Sequence, residues 1–163
     1  MFEGFEQDRI RLADAEINLR MGGDGPPLLL LHGFPQTHAA WHKVAPLLRD
    51  HFRLVIPDLR GYGDSLGPGP DEGHSGHSKR SMAADMIAVM AELGFETFNL
   101  AGHDRGARVA YRLTLDHPER VRKLASLDVA PTLATWEGMD MAGYLNSYHW
   151  PFLAQPAPLP ERL

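Results

Sequence analysis

A doubly wound α/β fold built on a mostly parallel sheet is predicted for this chain by three observations. Short apolar runs at Leu28–Leu31, Phe52–Pro57 and Val121–Leu127 alternate with stretches of helical spacing, the pattern of a sheet covered on both faces. The apolar run Phe98, Leu100, Ala101 leads directly into Gly102-His103-Asp104-Arg105-Gly106 and then into Ala107, Ala110 and Leu113 at helical spacing, a strand–turn–helix unit. Finally, the loops that close the predicted strands carry the polar residues, as expected where ligands bind beyond the carboxyl ends of strands.

Taken in order, residues 9–13 and 15–20 alternate apolar and polar and predict an antiparallel pair. Gly22-Gly23-Asp24-Gly25-Pro26 is a turn. His38 to Arg49 carries Trp41, Val44, Ala45 and Leu48 at helical spacing, with a kink or early break expected at Pro46. Residues 64–77, rich in Gly, Pro, Ser and Asp, predict a loop. Ser78 is a candidate N-cap for a helix whose apolar face is Met82, Met86, Val89, Met90 and Leu93, and Gly94 stops it. His117-Pro118 ends the helix after the turn. The core is therefore expected over residues 1–130. Residues 131–163 change character: Trp136, Met139, Met141, Tyr144, Leu145, Tyr148 and Trp150 form a mixed helical pattern, read as the start of a second layer.

Composition narrows the function classes. A formal charge of −5 offers no basic footprint for nucleic acid or an anionic membrane. With no cysteine, disulfides and thiolate metal sites are excluded. The N-terminal residues lack the pattern of a signal peptide, and Leu28–Leu31 is too short to span a bilayer. A cytoplasmic protein is the expectation. His74 and His77, near Asp71 and Glu72, lack a third ligand at diagnostic spacing, and no metal is assigned to them.

Four strand-end loops are expected to converge: His32-Gly33-Phe34-Pro35-Gln36, Asp58-Leu59-Arg60-Gly61, Gly102-His103-Asp104-Arg105, and Asp128. Asp104, between small residues on a sharp turn, reads as a nucleophile or as an ordinary N-cap. The backbone N–H groups of Phe34 and Arg105 are the candidate oxyanion hole. Arg105 and Arg108, three apart on one helix face, make a fork for a carboxylate, or pair with acids such as Asp85 or Asp128. Asp128 reads as an acid that orients a catalytic histidine, or as a turn residue. His32 is expected to orient its loop. His149 and Trp150 carry ring N–H donors suited to an anion.

With these residues in view, the chain resembles the fluoroacetate (haloacid) dehalogenases of the α/β-hydrolase superfamily. The His32–Gln36, Asp58–Gly63, Gly102–Gly106 and His149-Trp150 motifs carry the resemblance, which runs along essentially the whole chain. It implies an α/β-hydrolase fold, truncated before its last strands, with the start of a helical cap. It also implies that Asp104 displaces halide from a small 2-haloacid to form an ester, that Arg105 and Arg108 hold the substrate carboxylate, and that His149 and Trp150 receive the halide. A histidine paired with Asp128 would then activate water. No cofactor takes part in this chemistry.

In that family the catalytic histidine lies far downstream, so the general base is expected beyond Leu163. The strand ending at Asp128 is then expected as an exposed edge, with the C-terminal half or a homodimer partner as its complement. Two other readings remain at this stage: an epoxide hydrolase or haloalkane dehalogenase with the same nucleophile, and a non-catalytic fragment that binds a small acid or a complementing chain.

Overall fold

The computed structural model describes residues 1–69, 75–156 and 158–162. Its chain divides into two units, Met1–Val129 and Ala130–Leu163.

The first unit is a six-stranded sheet. Its strands are β1 (Glu6–Arg11), β2 (Glu16–Gly22), β3 (Pro27–Leu31), β4 (Arg53–Pro57), β5 (Phe98–His103) and β6 (Val121–Leu127), in the order β1-β2-β4-β3-β5-β6. The strands β4, β3, β5 and β6 are parallel, whereas β2 pairs antiparallel with both β4 and β1. From β3 the chain steps outward to β4 on one side and then returns to β5 on the other. That reversal opens a crevice between the carboxyl ends of β3 and β5, where an open α/β sheet binds its ligands.

Alternation along each strand divides the core in two. On one face Leu29, Leu31, Val55, Phe98 and Leu100 meet helices α2 (Lys79–Glu92) and α3 (Arg105–Asp116) through residues such as Met86, Met90 and Leu113. On the other, Leu28, Leu30, Leu54 and Ile56 pack on Trp41 and Ala45. Ser78 caps α2 by accepting the Ser81 N–H at 3.1 Å, and Gly94 ends that region with φ +79°. The strand β6 stands at the edge, and its residues are largely exposed. Beside it, Leu28, Leu30, Trp41, Leu124 and Leu127 line an open trough of about 720 Å³.

Two local expectations change. The helix predicted across 38–49 is instead a 3-10 turn at His38–Trp41 followed by the single turn of α1 (Ala45–Leu48). Thr37 Oγ1 accepts the Ala39 N–H, and the Asp58 carboxylate takes the His38 N–H. These side chains satisfy the backbone without a longer helix, while Pro46 falls in the first turn of α1, where its missing donor is harmless. The first strand begins at Glu6, ahead of the expected residue 9, and stops at Arg11. Its side chains are mostly exposed on an edge, so pairing with β2 rather than burial sets its limits.

In the second unit, the mixed pattern resolves into α4 (Thr132–Glu137), α5 (Met141–Asn146) and α6 (His149–Leu153), none with a buried residue. Asp140 caps α5 through the Gly143 N–H at 2.8 Å, and Trp136 lies 5.7 Å from Trp150, ring to ring. Among the described residues no helix is long and apolar enough to cross a membrane.

Candidate active site

Asp104 sits at the junction of β5 and α3 with φ 49° and ψ −115°. A non-glycine residue held there stores on the order of 1–3 kcal/mol of backbone strain. Its carbonyl accepts the Arg108 N–H at 3.2 Å, and its own N–H donates to Leu127 at 3.1 Å. The alternative that its side chain merely caps the helix does not hold, because no such cap bond forms. Instead, Asp104 Oδ2 accepts the backbone N–H of Phe34 across the crevice at 2.9 Å.

Two glycines permit this approach. A Cβ on Gly33 would fall 2.8 Å from the Asp104 Cβ, and one on Gly106 would fall 2.4 Å from the carbonyl oxygens of Leu31 and His32. Any side chain at either position would push β3 away from the turn. The small residues of the two motifs therefore serve packing across the crevice as well as the turn itself.

The β3 and β4 loops are tied together by His32, which is fully buried. Its Nε2 accepts the Leu59 N–H at 3.0 Å, so Nδ1 carries the proton and donates to the Gly33 carbonyl at 2.9 Å. Burial pushes its pKa down, which keeps the ring neutral. This is the loop-orienting part expected for it. Below it, the fully buried Asp58 accepts hydrogen bonds from Asn18, His38 and Asp64. Burial alone would raise this carboxyl, but those hydrogen bonds prevail and hold it below the ordinary carboxylate value.

The arginines are placed differently from one another. The Arg105 guanidinium lies 5.3 Å from the centre of the Phe34 ring, whereas Arg108 is buried. Burial pushes the Arg108 pKa down, and Asp104 and Tyr111 oppose that push while Arg105 adds to it. Asp85, considered above as a partner for these arginines, is held by both nitrogens of the Arg60 fork. Asp128, considered in the same way, is largely exposed, and its Oδ2 lies 3.9 Å from His103 Nε2. Like Asp104 it has a positive φ, 53°. The four strand-end loops thus gather at the carboxyl edge of one sheet. His149 and Trp150 belong to the second unit, on α6. Asp71, Glu72 and His74 lie outside the described residues, and His77 Nε2 contacts the Pro68 carbonyl at 3.3 Å.

Two residues near the crevice were not singled out from sequence. The Tyr62 ring packs edge-on to His32 and Phe34, at 5.2 and 6.4 Å. Burial pushes its phenol pKa up, with Arg105 opposing and Asp104 reinforcing. Lys79, the first residue of α2, is half-buried and feels the charges of Arg105 and Arg108. The available signal was topological: α2 runs into a strand parallel to its neighbours and must therefore start at the carboxyl edge.

Comparison with known proteins agrees with this geometry. The family model described as alpha/beta hydrolase fold matches residues 26–157. The fluoroacetate dehalogenase of Burkholderia sp is 49% identical over 163 residues, all of this chain and 54% of that protein. The soluble epoxide hydrolase of Corynebacterium sp. (strain C12) is 40% identical over 111 residues, 68% of this chain and 37% of that protein. Among solved structures, ALR0039 of Nostoc sp PCC 7120 superposes with a TM-score of 0.95 at 55% identity, covering 99% of this chain and 56% of that one. The chain spans about half the length of the fluoroacetate dehalogenase and of the Nostoc protein. Its sheet, its strained turn and these matches make it a member of the alpha/beta hydrolase fold family.

Proposed function

We propose that this chain carries the nucleophile and acid-binding half of a hydrolase that removes halide from a small 2-haloacid such as fluoroacetate. The observation that carries the reading is the Asp104 carboxylate on a strained turn, held through one oxygen by the Phe34 N–H. With Oδ2 fixed, Oδ1 is the attacking atom. It forms a bond to the substrate α-carbon as the carbon–halogen bond breaks, and the halide leaves with the electron pair. Water then adds to the Asp104 ester carbonyl. The oxygen already facing Phe34 becomes the oxyanion, with the Arg105 N–H as second donor. Collapse releases a 2-hydroxyacid and regenerates Asp104.

Attack on a haloacid brings two carboxylates together. At about 5 Å and an effective dielectric of about 20 their repulsion is roughly 3 kcal/mol. Arg105 and Arg108 beside Asp104 offset it, which is why the acid reading is favoured over a neutral epoxide or haloalkane. His149 and Trp150 supply N–H donors of the kind a departing halide needs. Asp128 is the acid that would orient a histidine base.

The test is fluoride release from fluoroacetate, alongside ring opening of a small epoxide. Acid cleavage without epoxide opening is the expected result; the reverse would refute the proposal. Replacing Arg108 with Leu should slow chloride release from chloroacetate about a hundredfold or more while sparing chloroacetamide. Equal loss on both would remove the carboxylate clamp from the account.

A further inference from the structure

A further cation stands at the sheet's carboxyl edge. Lys79 opens α2 directly after its Ser78 cap, the helix end at which a positive side chain is disfavoured. Both α2 and α3 precede or follow β5 with the same sense, so both begin at the carboxyl edge, and they pack side by side. Lys79 therefore stands on the first turn of one helix while Arg105 and Arg108 stand on the first turn of its neighbour. Its side chain is half-buried. Burial pushes its pKa down, and repulsion from Arg105 and Arg108 adds to that push.

Cations gathered on one edge favour an anion that they share. Asp104 is one negative charge among them, and one of its oxygens is already held by Phe34. An incoming carboxylate supplies the second.

We propose that Lys79 is the third cation of the acid-binding site, a specificity-determining residue that draws a substrate carboxylate to Arg105 and Arg108 and sets the preference for anionic over neutral substrates. The inference rests on the acid-cleaving reading above, and its test is read without turnover.

In protein carrying Asp104→Asn, binding of chloroacetate and of its neutral analogue chloroacetamide is followed by ligand-observed NMR titration. Adding Lys79→Met should weaken chloroacetate about tenfold and leave chloroacetamide within about twofold. Lys79→Arg should bring chloroacetate back to within about threefold of the parent, because the charge is kept. Retained chloroacetamide binding also shows that the variants are folded. The proposal is overturned if Lys79→Met binds chloroacetate like its parent, if both ligands are lost equally, or if the parent binds no carboxylate. Absence of halide release from protein retaining Asp104 would refute the reaction while leaving the Lys79 result to stand on binding.

Discussion

Two aspartates close neighbouring parallel strands with nearly the same positive φ, and their surroundings differ. Asp104 after β5 has φ 49°, and Asp128 after β6 has φ 53°. The first is partly buried, with one oxygen held by Phe34 and two glycines making room for the approach. The second is largely exposed, 3.9 Å from an imidazole and at the edge of the sheet. A central strand end is surrounded by loops on both sides, so a carboxylate there can be aimed and held. Beside β6 only one neighbouring strand is present among the described residues, and the Asp128 carboxylate is largely exposed. The difference teaches that surroundings, more than residue type, decide how firmly a strand-end carboxylate is held.

The comparison breaks most sharply at chemistry. Asp104→Asn should abolish halide release, by about 10⁴-fold or more, with the fold retained because Asn tolerates a positive φ. Stopped-flow halide detection checks this, and substantial residual release would transfer the nucleophile to another group. Asp128→Asn should act on the second step instead. In protein that includes the histidine partner, the initial burst of halide should persist while steady turnover falls by about 10²–10⁴-fold. Loss of the burst as well would place Asp128 in the first step.

Stability gives a smaller but independent contrast. Replacing Asp104 with Gly relieves the strained turn and should raise unfolding free energy by about 1–2 kcal/mol, as measured by urea titration. The same change at Asp128 should yield less, since an exposed edge can relax. A destabilised Asp104→Gly protein would mean that the Phe34 hydrogen bond outweighs the strain.

The smallest expected effect lies in pH dependence. Hydrogen bonding holds folded Asp58 below its ordinary carboxylate value, so it contributes stability that is present above the unfolded pKa. That contribution is lost as pH falls through the folded value, below about pH 4. Chemical denaturation at a series of acid pH values should show a shallower decline in Asp58→Asn than in the parent. An unchanged slope would remove Asp58 from the acid limb.

Much of the fold was legible because local pattern and final packing agree. The Leu28–Leu31 run became the buried centre of the sheet, and the Met82, Met86, Val89, Met90 stripe became the helix face against it. Gly102–Gly106 announced its turn through residue types that the close packing of β3 and β5 requires. What stayed hidden depends on partners distant in sequence. Arg60 holds Asp85 across 25 residues, and Asp58 binds Asn18 across 40. Lys79 and Tyr62 join the crevice only once the strand order is known. The 38–49 segment misled because its backbone is satisfied by Thr37 and Asp58 rather than by a continuous helix.

The central claim is that Asp104 attacks carbon and becomes esterified. Its most direct test is the intact mass of the protein after incubation with fluoroacetate, followed by peptide mapping. The account predicts a carboxymethyl ester on Asp104, accompanied by fluoride and absent from Asp104→Asn. An unmodified Asp104 with fluoride released, or an adduct on a different side chain, would contradict it.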